Sequence, residues 1–429
     1  MTSKTYYVSV TGNDKNDGLS KEAAFTFQKA AKLVEAGDTV NILDGTYKTK
    51  NANIIDINNK QGTKDAPITF TAFKDNKSSK PSKPILQAHK NNWNAISITG
   101  SSYIVINGLI LKGAKDEITH DYASNNRCDS KNPATSGNGI SINNKSLQIK
   151  IIDNEVSDFP GGGIAAIESD YITVQNNVVS GNCCYSPLGT QGITMLKLWN
   201  SDTNTRDYKV KIQGNTCFDN KQLIPTKGTD EPCRDPEITN PIKCPEGHGI
   251  MLDRSKNENG SYTGRALISN NISYNNGGAG IVIFNGENHV DIKNNTMYKN
   301  SQERSVAEIF LNKCQNVHVS KNIMYARDGN PACSIPEHSN ISFDNNLAYN
   351  GVCPNTGSGN ILNKDPLFFD AENHDFRLKS GSPAIDAGIG AVPKNPPTLK
   401  NQVFNDTDDI TDESTTVINF SETTVDAGV

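Results

Sequence analysis

One short phrase recurs along the chain: an apolar or mixed pair, an asparagine, two apolar or small residues, then a polar turn. It reads IIDNEVSD around Asn154, VQNNVVSGN at Asn177, IQGNTCFDN at Asn215, ISNNISYNN at Asn271, IKNNTMYKN at Asn295, VSKNIMYAR at Asn322 and FDNNLAYNG at Asn346. The steps are 23 residues from Asn154 to Asn177, 24 from Asn271 to Asn295, 27 to Asn322 and 24 to Asn346. Two longer steps, 38 to Asn215 and 56 to Asn271, carry insertions. A second phrase runs in the same frame, a Gly-Ile doublet opening a short apolar strand at Gly139, Gly163, Gly192, Gly249 and Gly280. A unit of roughly two dozen residues, built from strands too short to bury a face alone, specifies a solenoid. The fold expected is all-β, a right-handed parallel β-helix. Asparagines at equivalent turns then stack along the axis and bond neighbouring backbone. N-glycosylation, as at Asn271-Ile-Ser, would account for only a few of them, and the fixed leucines of a leucine-rich repeat are missing.

A solenoid needs its ends covered, because an open coil exposes strand edges and core. FTFQKAAKLVEAGDTVNIL places apolar residues at Phe27, Ala30, Ala31 and Val34, which predicts a capping helix over 26–36 with Thr26 as N-cap and Gly37 as the stop. Residues 1–389 are read as one β-helix domain. Residues 390–429, Pro-rich and then acidic and Thr-rich, are read as a tail.

Charge and cysteine usage narrow the function classes. A net charge of −5 with no Arg/Lys tract argues against nucleic acid as a partner. No run approaches 18 apolar residues, so no membrane span is expected, and MTSKTYYVSV lacks the apolar stretch of a signal peptide. None of the nine cysteines forms a CxxC, which argues against a structural zinc site. Cys233/Cys244 and Cys333/Cys353 lie in polar loops where local disulfides would suit a secreted or extracytoplasmic protein.

The Gly-Ile frame also gives a register. The residues five after each glycine form one line, Asn144, Glu168, Lys197, Arg254 and Asn285. At about 4.8 Å per coil, Lys197 and Arg254 become direct neighbours on the outer face. A permanent guanidinium beside an amine favours the neutral amine, since arginine does not yield its proton. A lysine so placed suits abstraction of the weakly acidic C5 proton of a uronate, the first event of β-elimination. Asn143, Asn144 and a protonated Glu168 are candidates to neutralise the substrate carboxylate. A calcium ion held by Glu168 and Asp253 would do the same. Tyr185 and Trp199, with Tyr208 and Tyr262 near them in sequence, are candidate sugar-binding aromatics. His248 is a candidate leaving-group acid and Arg265 a candidate for substrate charge. The insertion 221–248 would wall the groove. Taken singly, Lys197 and Arg254 are ordinary solvated residues of an outer strand; the Glu, Lys and Arg in one line between the two longest insertions raise them above that.

YYVSVTGNDKNDG…AGDTVNILDGTY, the lysine and arginine one coil apart, GHGIMLDR and YTGRALISNNISYNNGGAGI together resemble the parallel β-helix polysaccharide lyases of the alginate lyase and chondroitinase B type, over about residues 5–388. The resemblance implies Lys197 as base and Arg254 as helper of the leaving oxygen, acting on an anionic polysaccharide. Those enzymes hold calcium through a Glu-x-Glu just before the lysine. Here Thr190 and Gly192 stand in that neighbourhood, so a monomeric enzyme that requires no cofactor is expected, with calcium the alternative. Two other readings remain. One is a non-catalytic carbohydrate-binding or adhesion β-helix. The other is a polygalacturonase-type glycoside hydrolase, which shares Gly247-His248-Gly249 but needs clustered aspartates and an Arg-x-Lys that the core lacks. The Tyr and His in an Asp-Pro-His context of a mannuronan epimerase are missing too.

Overall fold

The computed structural model describes residues 2–74, 83–227, 246–257, 260–354, 357–386 and 390. Cys233 and Cys244, most of the 221–248 insertion, and the tail from 391 lie outside the described residues. All described residues fall within one compact unit, Met1–Pro396.

Alternating apolar residues decide the architecture. The Gly-Ile strands pair in parallel, coil upon coil, through Ile140, Ile164, Ile193, Ile250, Ile281 and Ile309, all six with no solvent exposure. A second column stacks Ile149, Ile172, Val210, Ala266, Val290 and Val317 in the same way. The third holds the three-residue strands that directly follow each repeat asparagine, with Val156, Val179, Cys217, Met297 and Met324 turned inward. Three parallel columns wound around one apolar core make the right-handed parallel β-helix expected from the repeat.

The repeat asparagines are buried and form a continuous amide ladder. Each Oδ1 accepts both the backbone N–H and Nδ2 of the asparagine one coil before it, from Asn154 to Asn177 at 2.9 and 3.0 Å through Asn215, Asn271, Asn295, Asn322, Asn346 and Asn360. The second Nδ2 hydrogen goes to a carbonyl of the preceding coil, as from Asn271 to Ile212. Asn271 has no exposure, which excludes it as a glycan acceptor in the folded chain. A second ladder, which the repeat phrase alone did not single out, runs five residues further on through Asn182, Asn220, Asn276 and Asn300. It ends on Glu308, whose two carboxyl oxygens accept from Asn300 N and Nδ2. Burial pushes this acid up to about 8, against the pull of the Asn300 bonds.

The helix Phe27–Leu33 closes the N-terminal end with Thr26 accepting from Lys29 N, and it buries Phe27, Ala30 and Ala31. Gly37 adopts φ +89° in the turn beyond it. Along the outer side of the third column the hairpin of Phe368–Asp370 and Asp375–Leu378 packs over Tyr274, Tyr298, Tyr325 and Tyr349, which stand on four successive rungs. Cys333 and Cys353 are disulfide-bonded, whereas Cys183, Cys184, Cys217 and Cys314 are buried thiols packed as small apolar groups. A helical excursion, Lys115–Glu117, His120–Asn125 and Pro133–Ser136, departs from the repeat. Helices of three to six residues are too short to show a 3.6-residue period in sequence.

Two consequences are measurable. Asn271→Ala strands the Asn215 donors and the Ile212 carbonyl, at about 1–3 kcal/mol for each unmade buried bond, so urea unfolding should show a loss of at least about 2 kcal/mol. A loss below about 0.5 kcal/mol would show that the ladder does not hold the coils. Glu308 binds its proton more tightly folded than unfolded, so its contribution is present below 4.5 and is lost as pH rises towards about 8. Glu308→Gln should remove that slope from the pH dependence of the unfolding midpoint.

Candidate active site

Each coil turns from its first column to its second through one residue in the left-handed region. The line is Asn59, Gly100, Asn144, Glu168, Lys197, Arg254, Asn285 and Lys313, with φ between 48° and 56° throughout. The registers make these eight successive rungs. Asparagine and glycine accept this conformation readily. A β-carbon followed by a long side chain costs about 1 kcal/mol more there. Three N-terminal rungs use Asn, Gly and Asn, and the next three use Glu, Lys and Arg. Backbone geometry asks only for a left-handed residue, and lysines also meet it at Lys145, Lys299, Lys313 and Lys321; what sets this stretch apart is Glu168, Lys197 and Arg254 on three successive rungs.

Lys197 and Arg254 are adjacent, with Lys197 N donating to Asp253 O at 3.0 Å and Arg254 N to Phe284 O at 3.0 Å. The Arg254 side chain is 55% exposed, with Nε 3.7 Å from Asp253 Oδ2. Asp253, the last residue of its strand, points outward between the two cations at 17% exposure. Burial pushes its carboxyl up, and Arg254 and Lys197 pull it part of the way back. Glu246 stands at the other end of that strand, where burial pushes it up while a 2.6 Å bond from Gln191 Nε2 opposes the shift.

A buried ionic network fixes the two loops that leave these turns. Lys209 has no side-chain exposure and binds Asp170 Oδ2 at 3.3 Å and Asp202 Oδ1 at 2.6 Å. Asp170 also accepts from Tyr262 Oη at 2.6 Å and from Ser201 N and Oγ at 2.9 and 2.7 Å. Ser201 and Asp202 belong to the loop after Lys197, and Tyr262 to the loop after Arg254, so one carboxylate ties both. Removing one partner of such a buried pair leaves the others uncompensated.

The structure therefore brings Lys197, Arg254, Asp253 and Glu168 together, with Asn143 and Asn144 two rungs before Lys197. Trp199 lies in the exit loop beneath the Lys145 ammonium, 5.4 Å from its ring centre. Three candidates stand elsewhere. Tyr185 lies in the turn before the strand Ile193–Leu196, at its opposite end, and lines an open cavity of about 400 Å³ with Lys115, Ile118 and Lys221. His248 is buried at the start of the strand carrying Asp253. Its Nδ1 accepts from Ala279 N at 2.7 Å, and burial lowers it to about 3. Arg265 sits on the second column, bonding Tyr208 Oη and Asp291 Oδ2, both at 2.9 Å. Tyr208 donates to Asp291 and Tyr262 is buried, so neither is a free sugar-binding ring. Sequence distance misled here because a strand and a turn separate neighbours in the chain.

Glu168 and Asp253 stand two rungs apart, about 10 Å along the axis, with Lys197 on the rung between them. Among the described residues no three His, Cys, Asp or Glu side chains gather as a metal site. Glu246, Gln191 and the Asp170–Lys209 pair escaped the sequence reading. Glu246 stands two residues before His248, but nothing in CPEGHGI marks it as buried.

A family model described as "Pel9A-like, right handed beta helix region" matches residues 6–158, the coils before Glu168. An uncharacterized protein of Bacillus subtilis (strain 168), YwoF, is 24% identical over 462 aligned positions, covering 88% of this chain and 91% of that one. Among solved structures, pectate lyase Pel9A aligns with a TM-score of 0.49 at 16% identity, over 89% of this chain and 91% of that one. A rhamnogalacturonan lyase aligns with a TM-score of 0.43 at 16% identity, over 80% and 87%. An alginate lyase from Paenibacillus sp. str. FPU-7 aligns with a TM-score of 0.35 at 12% identity, over 84% and 99%.

The left-handed turn makes a test that separates shape from charge. Lys197→Asn and Arg254→Asn each place a residue suited to that conformation, so thermal melting should show an unchanged or higher midpoint, by up to about 1 kcal/mol. A fall of more than about 1 kcal/mol would mean that these charges serve the fold.

Proposed function

We propose that the chain is a polysaccharide lyase that cleaves an anionic uronate polymer by β-elimination, with alginate and its poly-mannuronate blocks the preferred substrates. The observation that carries this is the Lys197–Arg254 pair, two cations on adjacent rungs in a conformation that asparagine or glycine would serve at lower cost. Lys197 takes the C5 proton. The C5–H electrons form the C4–C5 double bond as the C4–O4 bond breaks. Arg254 stabilises the charge that develops on the leaving O4, which then takes a proton from water. The products are a new reducing end and an unsaturated uronate. These steps are carried by the side chains of Lys197 and Arg254 alone. The resemblance to alginate lyases and the Pel9A-like description of residues 6–158 support a polysaccharide-cleaving β-helix and add pectate to the substrates worth testing. The Cys333–Cys353 disulfide supports a secreted or extracytoplasmic setting. Among the described residues no helix is long and apolar enough to cross a membrane.

A hydrolase is the second reading, favoured by two carboxyl groups that burial pushes up, Glu246 before and Asp253 at the end of the strand Ile250–Asp253.

Alginate, poly-mannuronate, poly-guluronate, pectate and glycosaminoglycans should be followed for new ultraviolet absorbance and for reducing ends. A lyase gives both, a hydrolase gives reducing ends alone, and a binding module gives neither. Lys197→Ala should lower kcat at least about 100-fold and Arg254→Ala about 100- to 1,000-fold, with the fold intact by circular dichroism. An unchanged rate in Lys197→Ala would remove it as the base.

A further inference from the structure

An outward position on a sheet face that meets water is ordinarily polar. In the first column this holds on the early rungs, where the two outward residues before each left-handed turn are Asp56 and Asn58, Ser97 and Thr99, and Ser141 and Asn143. From the rung of Glu168 onward the same two lines carry Ile167, Leu196, Met251, Val282, Phe284 and Phe310. The change falls where the turn residues pass from Asn and Gly to Glu, Lys and Arg. We propose that this apolar strip is the platform on which the sugar rings of the substrate lie, that Phe284 stacks under the ring next to the reacting one, and that the strip selects poly-mannuronate. The inference rests on the lyase reading and adds to it the residue that sets substrate preference.

Packing accounts for two of these residues, because Met251 and Val282 are buried beneath Ala279 and Val306 of the neighbouring loops. Ile167, Leu196, Phe284 and Phe310 are only half-buried. Phe284 and Phe310 lie against the edge of that small cluster, apart from the interior core. Contiguous apolar surface left open on an outer face marks a binding site. Ile167, Leu196 and Phe284 immediately precede the left-handed residues Glu168, Lys197 and Asn285, so the strip runs beside the charged line. Arg254 N donates to Phe284 O at 3.0 Å, which sets the Phe284 ring one rung beyond the guanidinium. Leu196 and Phe284 stand two rungs apart, about 10 Å, far enough to underlie consecutive sugars. Asp253 holds the rung between them and is partnered by Arg254 Nε at 3.7 Å.

A uronate has an apolar face of C–H groups and carries its carboxylate and most of its hydroxyls at the rim. Laid along the strip, it covers Leu196 and Phe284 with that face and turns its carboxylate toward Lys197 and Arg254. One pose then satisfies both halves of the ligand. Mannuronate units are joined through equatorial bonds at both ends and form a flat ribbon whose successive rings can lie on one strip. Guluronate and galacturonate units are joined through axial bonds, which tilt successive rings out of a common plane. The platform therefore favours poly-mannuronate over poly-guluronate and pectate.

The test uses the full chain carrying Lys197→Ala, which by the mechanism above cannot remove the C5 proton. The probes are saturated mannuronate, guluronate and galacturonate hexasaccharides, titrated calorimetrically. The mannuronate probe should bind tightest, and adding Phe284→Ala or Phe284→Leu should raise its Kd about tenfold or more. Phe284→Leu keeps an apolar side chain against the Met251 cluster and removes only the flat ring, whereas Phe284→Tyr keeps the ring and should hold Kd within about threefold. The other two sugars should lose less than about threefold in every variant. In the chain that retains Lys197, Phe284→Leu should place its loss on KM for poly-mannuronate rather than on kcat, as expected of a contact made equally in ground and transition states. A mannuronate Kd that neither Phe284→Ala nor Phe284→Leu moves overturns the assignment. So do equal losses on all three sugars, a Phe284→Tyr chain that loses as much as Phe284→Leu, or no binding of any probe. A dimer in sedimentation velocity that Phe284→Ala dissociates while Kd stays unchanged also overturns it, since a second copy would then cover the strip. Cleavage by the unsubstituted chain is scored separately. If it eliminates poly-mannuronate while Phe284 moves neither Kd nor KM, the lyase reading stands and the platform falls. If it cleaves nothing while mannuronate binding depends on Phe284, the platform stands and the lyase reading falls.

Discussion

The constraint on which everything else depends is the requirement that a buried amide satisfy all of its hydrogen-bonding groups. An asparagine inside a parallel solenoid does so when the coils above and below carry asparagine at the same position. Asn177 shows this, since its Nδ2 donates to Asn215 and to Ile151 O while its Oδ1 receives from Asn154. Once one coil is set, the next is placed in register, and every column of strands inherits that register. Two ladders five residues apart pin both ends of the third column. Glu308 closes the second by accepting from Asn300 where another asparagine would stand.

Register of this kind converts sequence frame into surface geometry. Because the Gly-Ile strands stack residue on residue, the position after each strand becomes a straight line of left-handed residues on the exterior. Lines of identical backbone conformation let side chains vary without disturbing the core. The chain uses that freedom unevenly, with Asn, Gly and Asn on the early rungs and Glu, Lys and Arg on the middle ones. At Lys197 and Arg254 the backbone takes a conformation that asparagine would adopt at lower cost.

The site also depends on groups that touch no solvent. Asp170, Lys209 and Tyr262 lie behind the two loops and join them through one carboxylate. Without that connection, Lys197 and Arg254 would share a rung spacing while their loops moved independently. An ion pair is a costly way to fill a core, and its value here is geometric: the bonds of Asp170 are directional, and those to Ser201 and Tyr262 bring both loops to one point.

The solenoid, its frame, its helix cap and the Lys197–Arg254 adjacency were legible in the amino-acid order, because a repeat fixes contacts between residues a known number of positions apart. Phe27, Ala30 and Val34 marked the cap for the same local reason. What lay beyond reach was set by contacts with no fixed spacing. The helical excursion near His120 obeys no repeat. Tyr185 and Arg265 read as neighbours of the site, yet a strand and a turn carry them to other faces. The burial that raises Asp253 and Glu246, the bond that commits His248 to Ala279 N, and the joining of Asp170 to Lys209 and Tyr262 all depend on loops folding across one another. Periodic order determined which residues share a line; only the tertiary structure decided which are dry, paired and close enough to act together.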